Sequence, residues 1–201
     1  SGDGFAYAGA ARRLELPPPG LAGRHQIDNA ALAIACLDRL EGFSVSERHI
    51  RDGLAAVDWP GRLQPLSRGP LPETLPRGWE LWVDGGHNPG AGRILAVQAR
   101  AWRDSPLYLI FGMMRTKDPV GFLVPLAPYL AGLEAVAVPG QEASFGAAEA
   151  AAAARRAGLE AAPADDLGAA LASIRARAAA PARVLICGSL YLAGEVLSQN
   201  G

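Results

Sequence analysis

After Trp59, short apolar runs alternate with helix-type segments, and this alternation constrains the fold more than any other feature of the chain. Strand candidates fall at 63–66, 80–83, 107–111, 133–138 and 184–187, with a weaker one near 159–161. Helices are expected from Pro89, Pro119, Ala147, Asp165 and Ser189. Strands and helices that alternate in this way build an α/β domain with a mostly parallel sheet flanked by helices. The runs at 107–111 and 184–187 are apolar throughout, as strands covered on both faces must be, and are expected at the centre of the sheet. Half of the 201 residues are hydrophobic, which is ample for such a core.

The segment before Trp59 has a different pattern. It contains a strand candidate at 5–8, a proline cluster at 17–19 and two helices. The first helix is expected from Asp28 as its N-cap, with Leu32, Ala35, Cys36 and Leu40 as its apolar face and Gly42 closing it. The second starts at Ser46, has Glu47 in its first turn, and presents Ile50, Leu54 and Val57. One strand and two helices are too few to form a core, so the segment is expected to pack on something else, as the end of a larger domain would. The alanine-rich stretches near 147–158 and 175–183 fit surface helices and carry no functional signal.

A formal net charge of −1 argues against bulk attraction to nucleic acid or to an anionic membrane surface. No run approaches the roughly 20 apolar residues of a membrane helix, and the first residues lack the features of a secretory signal. Cys36 and Cys187 both lie in apolar runs, which suggests buried reduced thiols and a cytoplasmic protein.

Ligands of open parallel sheets bind beyond the carboxyl ends of the strands, and three loops of this chain stand at such ends. The first, Asp84-Gly85-Gly86-His87-Asn88-Pro89, displays a carboxylate, an imidazole and an amide before a helix-starting proline. The second runs from Gly112 to Pro119 and offers Lys117 as an anion contact. In the third, Gly188-Ser189 leads straight into a helix whose free N–H groups favour a carboxylate or phosphate. Each loop also has a plainer reading. Asp84 suits a turn, Lys117 a solvated pair with Asp118, and Ser189 an N-cap. His49 reads as a surface residue, and His25 as either a helix-start hydrogen-bonding group or a support of the site. The combination of three strand ends points to a site, whereas no single loop does.

Five strings in order cover nearly the whole chain: Gly23-Arg24-His25-Gln26-Ile27-Asp28-Asn29-Ala30-Ala31-Leu32-Ala33, Trp59-Pro60-Gly61-Arg62-Leu63, Asp84 to Pro89, Phe111-Gly112 with Lys117-Asp118, and Gly188-Ser189-Leu190-Tyr191-Leu192-Ala193-Gly194. Together they resemble folylpolyglutamate synthases and bifunctional dihydrofolate synthases of the Mur ligase superfamily. The resemblance implies that residues 63–201 form the Rossmann-like, glutamate-binding C-terminal ligase domain, that 59–62 are an interdomain hinge, and that 1–58 end a central ATP-binding domain. It also implies an ATP- and magnesium-dependent ligase that joins L-glutamate to dihydropteroate or a folate through an acyl phosphate, acting as a monomer. By that pattern Asn29, Arg62 and Asp84 contact ATP, while His87, Ser189 and Lys117 hold glutamate, with Asp84, His87 and Arg62 closest to the chemistry.

The chain departs from the family in having no G-x-x-x-x-G-K-[ST] phosphate loop, and in lacking the magnesium ligands and carbamylated lysine of the central domain, so turnover by this chain alone is not expected. Two alternatives stay open: a Mur ligase that extends a UDP-linked peptidoglycan precursor, and a non-catalytic α/β binding module.

Overall fold

The computed structural model describes residues 4–178 and 181–201. The chain divides into two compact units, Ser1–Trp59 and Pro60–Gly201.

In the first unit, β1 (Phe5–Ala8) and β2 (Arg13–Leu16) form an antiparallel hairpin with Phe5 opposite Leu16 and Tyr7 opposite Leu14. Alternation places those four side chains on one face, where they pack with Ala30 and Ile34 of α1 (His25–Leu37) and Ile50 of α2 (Glu47–Ala56). The strand at Arg13–Leu16 was not expected from sequence. It changes the packing logic, because a hairpin face gives the two helices a surface to cover and the unit holds a core of its own. Asp38 adds a polar tie at 2.6 Å from Arg12 Nε, and it accepts the Tyr7 hydroxyl at 3.1 Å.

The first helix also differs from expectation. It starts at His25 after Arg24, Asp28 lies in its first turn, and it ends at Leu37, five residues before Gly42. Its buried side is Gln26, Ala30 and Ile34, whereas Leu32 and Leu40 are 65% and 51% exposed and Cys36 is exposed too. The helix is apolar on two sides, and periodicity alone selected the outer one. The second helix starts as expected: Ser46 Oγ accepts the His49 N–H, and His49 Nδ1 accepts the Ser46 N–H. Val57 falls just past its end.

The second unit is a six-stranded sheet. In chain order it comprises β3 (Gln64–Leu66), α3 (Pro70–Glu73), β4 (Glu80–Val83), α4 (Pro89–Ala101), β5 (Leu107–Phe111), α5 (Pro119–Leu123), a 3₁₀ turn at Ala127–Tyr129, β6 (Gly132–Ala135), α6 (Ala147–Arg156), β7 (Ala161–Pro163), α7 (Leu167–Arg177), β8 (Arg183–Cys187) and α8 (Leu190–Asn200). The strand order is β3-β4-β8-β5-β6-β7, with β3 antiparallel to β4 and every other pair parallel. The two apolar runs, β5 and β8, lie side by side in the middle, and each of their residues is buried. One face of the sheet is covered by a cluster that includes Leu167, Leu171 and Ile174 of α7 and Leu192 and Val196 of α8. At the amino end of β8, the buried Arg183 forks onto Glu80 at 2.7 and 2.8 Å, reaches Asp104 at 3.1 Å and stacks 4.8 Å from the Trp102 ring. Among the described residues no helix is long and apolar enough to cross a membrane.

Candidate functional site

Because β8 lies between β4 and β5, the loops that leave the carboxyl ends of these strands stand next to one another where the strand order reverses. Backbone hydrogen bonds continue past the strands and bind the loops into one platform. Gly188 N–H donates to the Gly86 carbonyl at 3.0 Å, and Gly112 N–H donates to the Cys187 carbonyl at 3.2 Å. Gly188 has φ +108°, and a Cβ there would lie 2.6 Å from the Gly112 carbonyl oxygen, so the close approach of the loops depends on glycine.

His87, Lys117 and Ser189, one from each loop, line a cavity of about 320 Å³ together with Met114, Leu190 and Tyr191. His87 is half-buried, and its Nδ1 lies 2.9 Å from the Gly85 carbonyl oxygen. A carbonyl can only accept, so Nδ1 is the donor in this contact, and Nε2 is the ring nitrogen that faces other partners. Ser189 is 2% exposed and caps α8, with its Oγ accepting the Tyr191 N–H at 3.2 Å while its own hydroxyl proton is kept for donation. Lys117 is exposed on the rim, its backbone N–H donating to the Met114 carbonyl at 3.0 Å. Its neighbour Asp118 caps α5 by accepting the Gly121 N–H at 2.9 Å. Asn88 caps α4 in the same way, accepting the Ala91 N–H at 2.9 Å.

Asp84 lies behind this surface, 6% exposed. One oxygen accepts the Gly86 N–H at 2.7 Å and the other accepts the Leu63 N–H at 2.8 Å. The second bond joins the β4 loop to the Gly61-Arg62-Leu63 turn, which is braced further by Gly85 N–H to the Gly61 carbonyl at 2.7 Å and by Gly61 N–H to Gln64 Oε1 at 2.9 Å. Leu63 holds φ +42°, a left-handed conformation that costs a non-glycine residue about 1–2 kcal/mol and that these bonds offset. Arg62 is half-buried between two left-handed residues, in a turn built into the second unit.

Asn29 belongs to the first unit, where it is exposed on α1 and its Nδ2 donates to the buried Gln26 Oε1 at 3.0 Å. Cys187, at the end of β8, is buried as expected; burial and the nearby Asp84 charge push its thiol well above the ordinary range, so it remains a neutral, unreactive group. Among the described residues, no group of three or more His, Cys, Asp or Glu side chains is placed to hold a metal ion.

Sequence reasoning missed the apolar part of the cavity and the bracing of the Arg62 turn. The apolar lining was findable, since Met114, Leu190 and Tyr191 each directly adjoin a flagged loop residue or lie within three positions of one. The bracing was not, because Asp84 and Leu63 are 21 positions apart.

Residues 61–190 match the family described as Mur ligase, glutamate ligase domain. The dihydrofolate synthase/folylpolyglutamate synthase of Escherichia coli (strain K12) is 36% identical over 96 residues, which is 47% of this chain and 20% of that protein. The folylpolyglutamate synthase of Lacticaseibacillus casei is 30% identical over 145 residues, covering 69% of this chain and 31% of the relative. Among solved structures, E. coli FolC in complex with DHPP and ADP superposes with a TM-score of 0.79 at 28% identity, covering 98% of this chain and 44% of that one. The chain therefore spans less than half the length of these relatives.

Proposed function

Since this chain belongs to the Mur ligase family through its glutamate ligase domain, we propose that it is the glutamate-handling, domain-closing part of an ATP-dependent ligase that adds L-glutamate to dihydropteroate or to a folate. The observation that carries this reading is the cavity that receives an imidazole, an ammonium and a hydroxyl from three adjacent strand ends. A cation on the rim and a buried hydroxyl at a helix start suit the carboxylates of an amino acid.

In the proposed reaction, a carboxylate oxygen of the acceptor first takes the γ-phosphoryl group of ATP: an O–P bond forms, the bond from the γ-phosphorus to the bridging oxygen breaks, and ADP leaves. The amine of glutamate then attacks that acyl carbon, a C–N bond forms, the C–O bond to phosphate breaks, and the amine loses a proton. His87, with Nε2 as the ring acceptor, is the proposed recipient of that proton and orients the amine. Ser189 and Lys117 hold the glutamate carboxylates, so that the attack is made by an amine already in place. Arg62 contributes its planar guanidinium to the ATP phosphates. Asp84 serves the nucleotide by fixing the turn that presents Arg62. Asn29 is the contact proposed from residues 1–58, which are read as the end of the central ATP-binding domain. Because the Arg62 turn is fastened to the β4 loop, bending between the domains is assigned to the residues just before Gly61. Magnesium would neutralise charge on the phosphates when bound; its ligands are assigned outside the described residues. A cytoplasmic monomer fits this role, and the chain alone is expected to be inactive.

The test compares this chain with the polypeptide encoded by its whole reading frame. Alone, the chain should bind L-glutamate, with NMR shifts concentrated at His87 and Ser189, and release no phosphate from ATP. The whole polypeptide should incorporate labelled L-glutamate into dihydropteroate or a folate with stoichiometric phosphate release. There Arg62→Ala and His87→Ala should each lower incorporation by about an order of magnitude or more, the effect of losing one transition-state contact. Wild-type rates in both variants would remove the site assignment, and extension of a UDP-linked muropeptide instead would move the enzyme to the peptidoglycan branch.

A further inference from the structure

The loop between β5 and α5 carries two of the cavity's lining residues, Met114 and Lys117, yet its outer part is exposed from Arg115 to Asp118. Its inner end is well anchored: Met113 is fully buried, and its carbonyl accepts the Phe145 N–H at 2.9 Å. The outer end has less to hold it. Arg115 N–H donates to the Ala143 carbonyl at 2.9 Å, and Met114 forms a single antiparallel bridge with Ser144.

Asp118 fastens the far end of the loop by capping α5, and the side chain of Arg115 adds a tie to the segment before it. Its guanidinium meets the Glu149 carboxylate with both forks, at 2.9 and 2.5 Å, and sits 5.4 Å from the centre of the Phe145 ring. Glu149 is fixed in its turn, because the same carboxylate accepts the Gly146 N–H at 2.9 Å where α6 begins. An exposed ion pair ordinarily contributes little. This one is bidentate, stacked on a ring and anchored at a helix start, the geometry in which such a pair does fix a loop. It has a second consequence for the cavity: Arg115 is two residues from Lys117, and a guanidinium free to swing could compete with the lysine for any anion there.

We propose that Arg115 is a positioning residue, whose pairing with Glu149 fixes the β5–α5 loop so that Lys117 stands at the cavity rim, while its own charge is withheld from the ligand. The role in ligand binding rests on the glutamate reading above, whereas the latch itself does not.

The experiment uses the full 201-residue chain in three forms: wild type, Arg115→Ala and Glu149→Gln. Amide exchange is followed at Arg115 and Lys117, with the central-strand amides of Ile110 and Ile186 as internal references, and L-glutamate is titrated into each form. Arg115→Ala and Glu149→Gln should speed exchange at the two loop amides about tenfold, leave the reference amides unchanged, and weaken glutamate binding about fivefold or more. Because a glutamine at 149 can still accept the Gly146 N–H, Glu149→Gln removes the ion pair and leaves the start of α6 capped. Unchanged loop exchange, or exchange that rises equally at the reference amides, would overturn the latch. Retained glutamate affinity in a variant whose loop has loosened would overturn its role in positioning Lys117. If the wild-type chain binds no L-glutamate, the ligand reading fails, and exchange at the loop amides against the reference amides still decides the latch.

Discussion

The two units bury their apolar residues in different ways. In Pro60–Gly201, helices lie against a six-stranded sheet, and the two central strands, β5 and β8, are buried at each position. In Ser1–Trp59 a single hairpin face takes one side of α1 and of α2, and the other side of α1 keeps Leu32 at 65% exposure, with Leu40 at 51% and Phe43 at 74% just beyond the helix. The wide sheet buries both faces of its central strands, and the apolar side chains its unit leaves exposed, Ile94, Val97, Val124, Leu190 and Tyr191, lie on helices and loops around it. A two-stranded hairpin covers only one side of each helix, and Leu32, Leu40 and Phe43 stay exposed.

The largest expected break in this comparison lies at a pair of glycines. Gly188 of the second unit and Gly42 of the first both hold positive φ, at +108° and +79°. A Cβ at Gly188 would meet the Gly112 carbonyl oxygen at 2.6 Å and the Phe111 ring at 2.7 Å, whereas nothing lies within 4 Å of one at Gly42. Gly188→Ala should therefore destabilise the chain by about 2–4 kcal/mol, combining backbone strain with a clash. Gly42→Ala should cost at most about 1 kcal/mol, since the strain is partly offset by a less flexible unfolded chain. Urea unfolding of both variants decides the point, and equal costs would mean that the three loops are not packed against one another as described.

Next in size is a contrast across the two sides of α1. Ile34 is 1% exposed in the first unit's core, and Ile34→Ala should cost about 2–4 kcal/mol. Leu32→Ala, two positions away on the outer side, should change stability by less than about 0.5 kcal/mol in this chain. A large loss at Leu32 would show that the outer stripe is covered in solution. Sedimentation of the wild-type chain would then tell whether a second copy covers it.

The same contrast explains what could be read in advance. In the second unit β4, β5 and β8, and the helices at Pro89, Pro119 and Ala147, fall close to their expected positions, because each has two independent signals, an apolar run and a capped or proline-led helix start. That the three strand ends converge was read from the sequence, but the strand order that brings them together was not. It depends on β8 returning to lie between β4 and β5, a long-range pairing that no local signal encodes. In the first unit α1 offers two apolar stripes, and nothing local says which one meets the hairpin; the hairpin's second strand, Arg-Leu-Glu-Leu, carries a charge at every other position and runs straight into the proline cluster, which hid it although it is as long as the first. His87, Lys117 and Ser189 could be picked out because they follow strand ends, whereas the bond from Asp84 to Leu63 becomes visible only once β3 is paired antiparallel to β4.

The smallest effect separates the units by pH. In the second unit, hydrogen bonds from Arg183 hold the Glu80 carboxyl below the usual carboxylate range, against the opposing pull of burial. A carboxyl lowered in the folded state lends stability that is present above the unfolded value and is lost as pH falls through the folded one. In the first unit, burial and then the Asp38 carboxylate push the Tyr7 phenol up, so its contribution is present below the ordinary tyrosine range and is lost as pH rises through the raised value. The acid limb of a thermal-midpoint profile should therefore respond to Glu80→Gln and the alkaline limb to Tyr7→Phe. With the Glu80 side chain 46% exposed, solvent screens much of the pair, and flattening of the acid limb by only about 1–2 °C is expected. If Glu80→Gln flattened the alkaline limb instead, or if Tyr7→Phe altered the acid one, the two polar ties would not be acting within separate units.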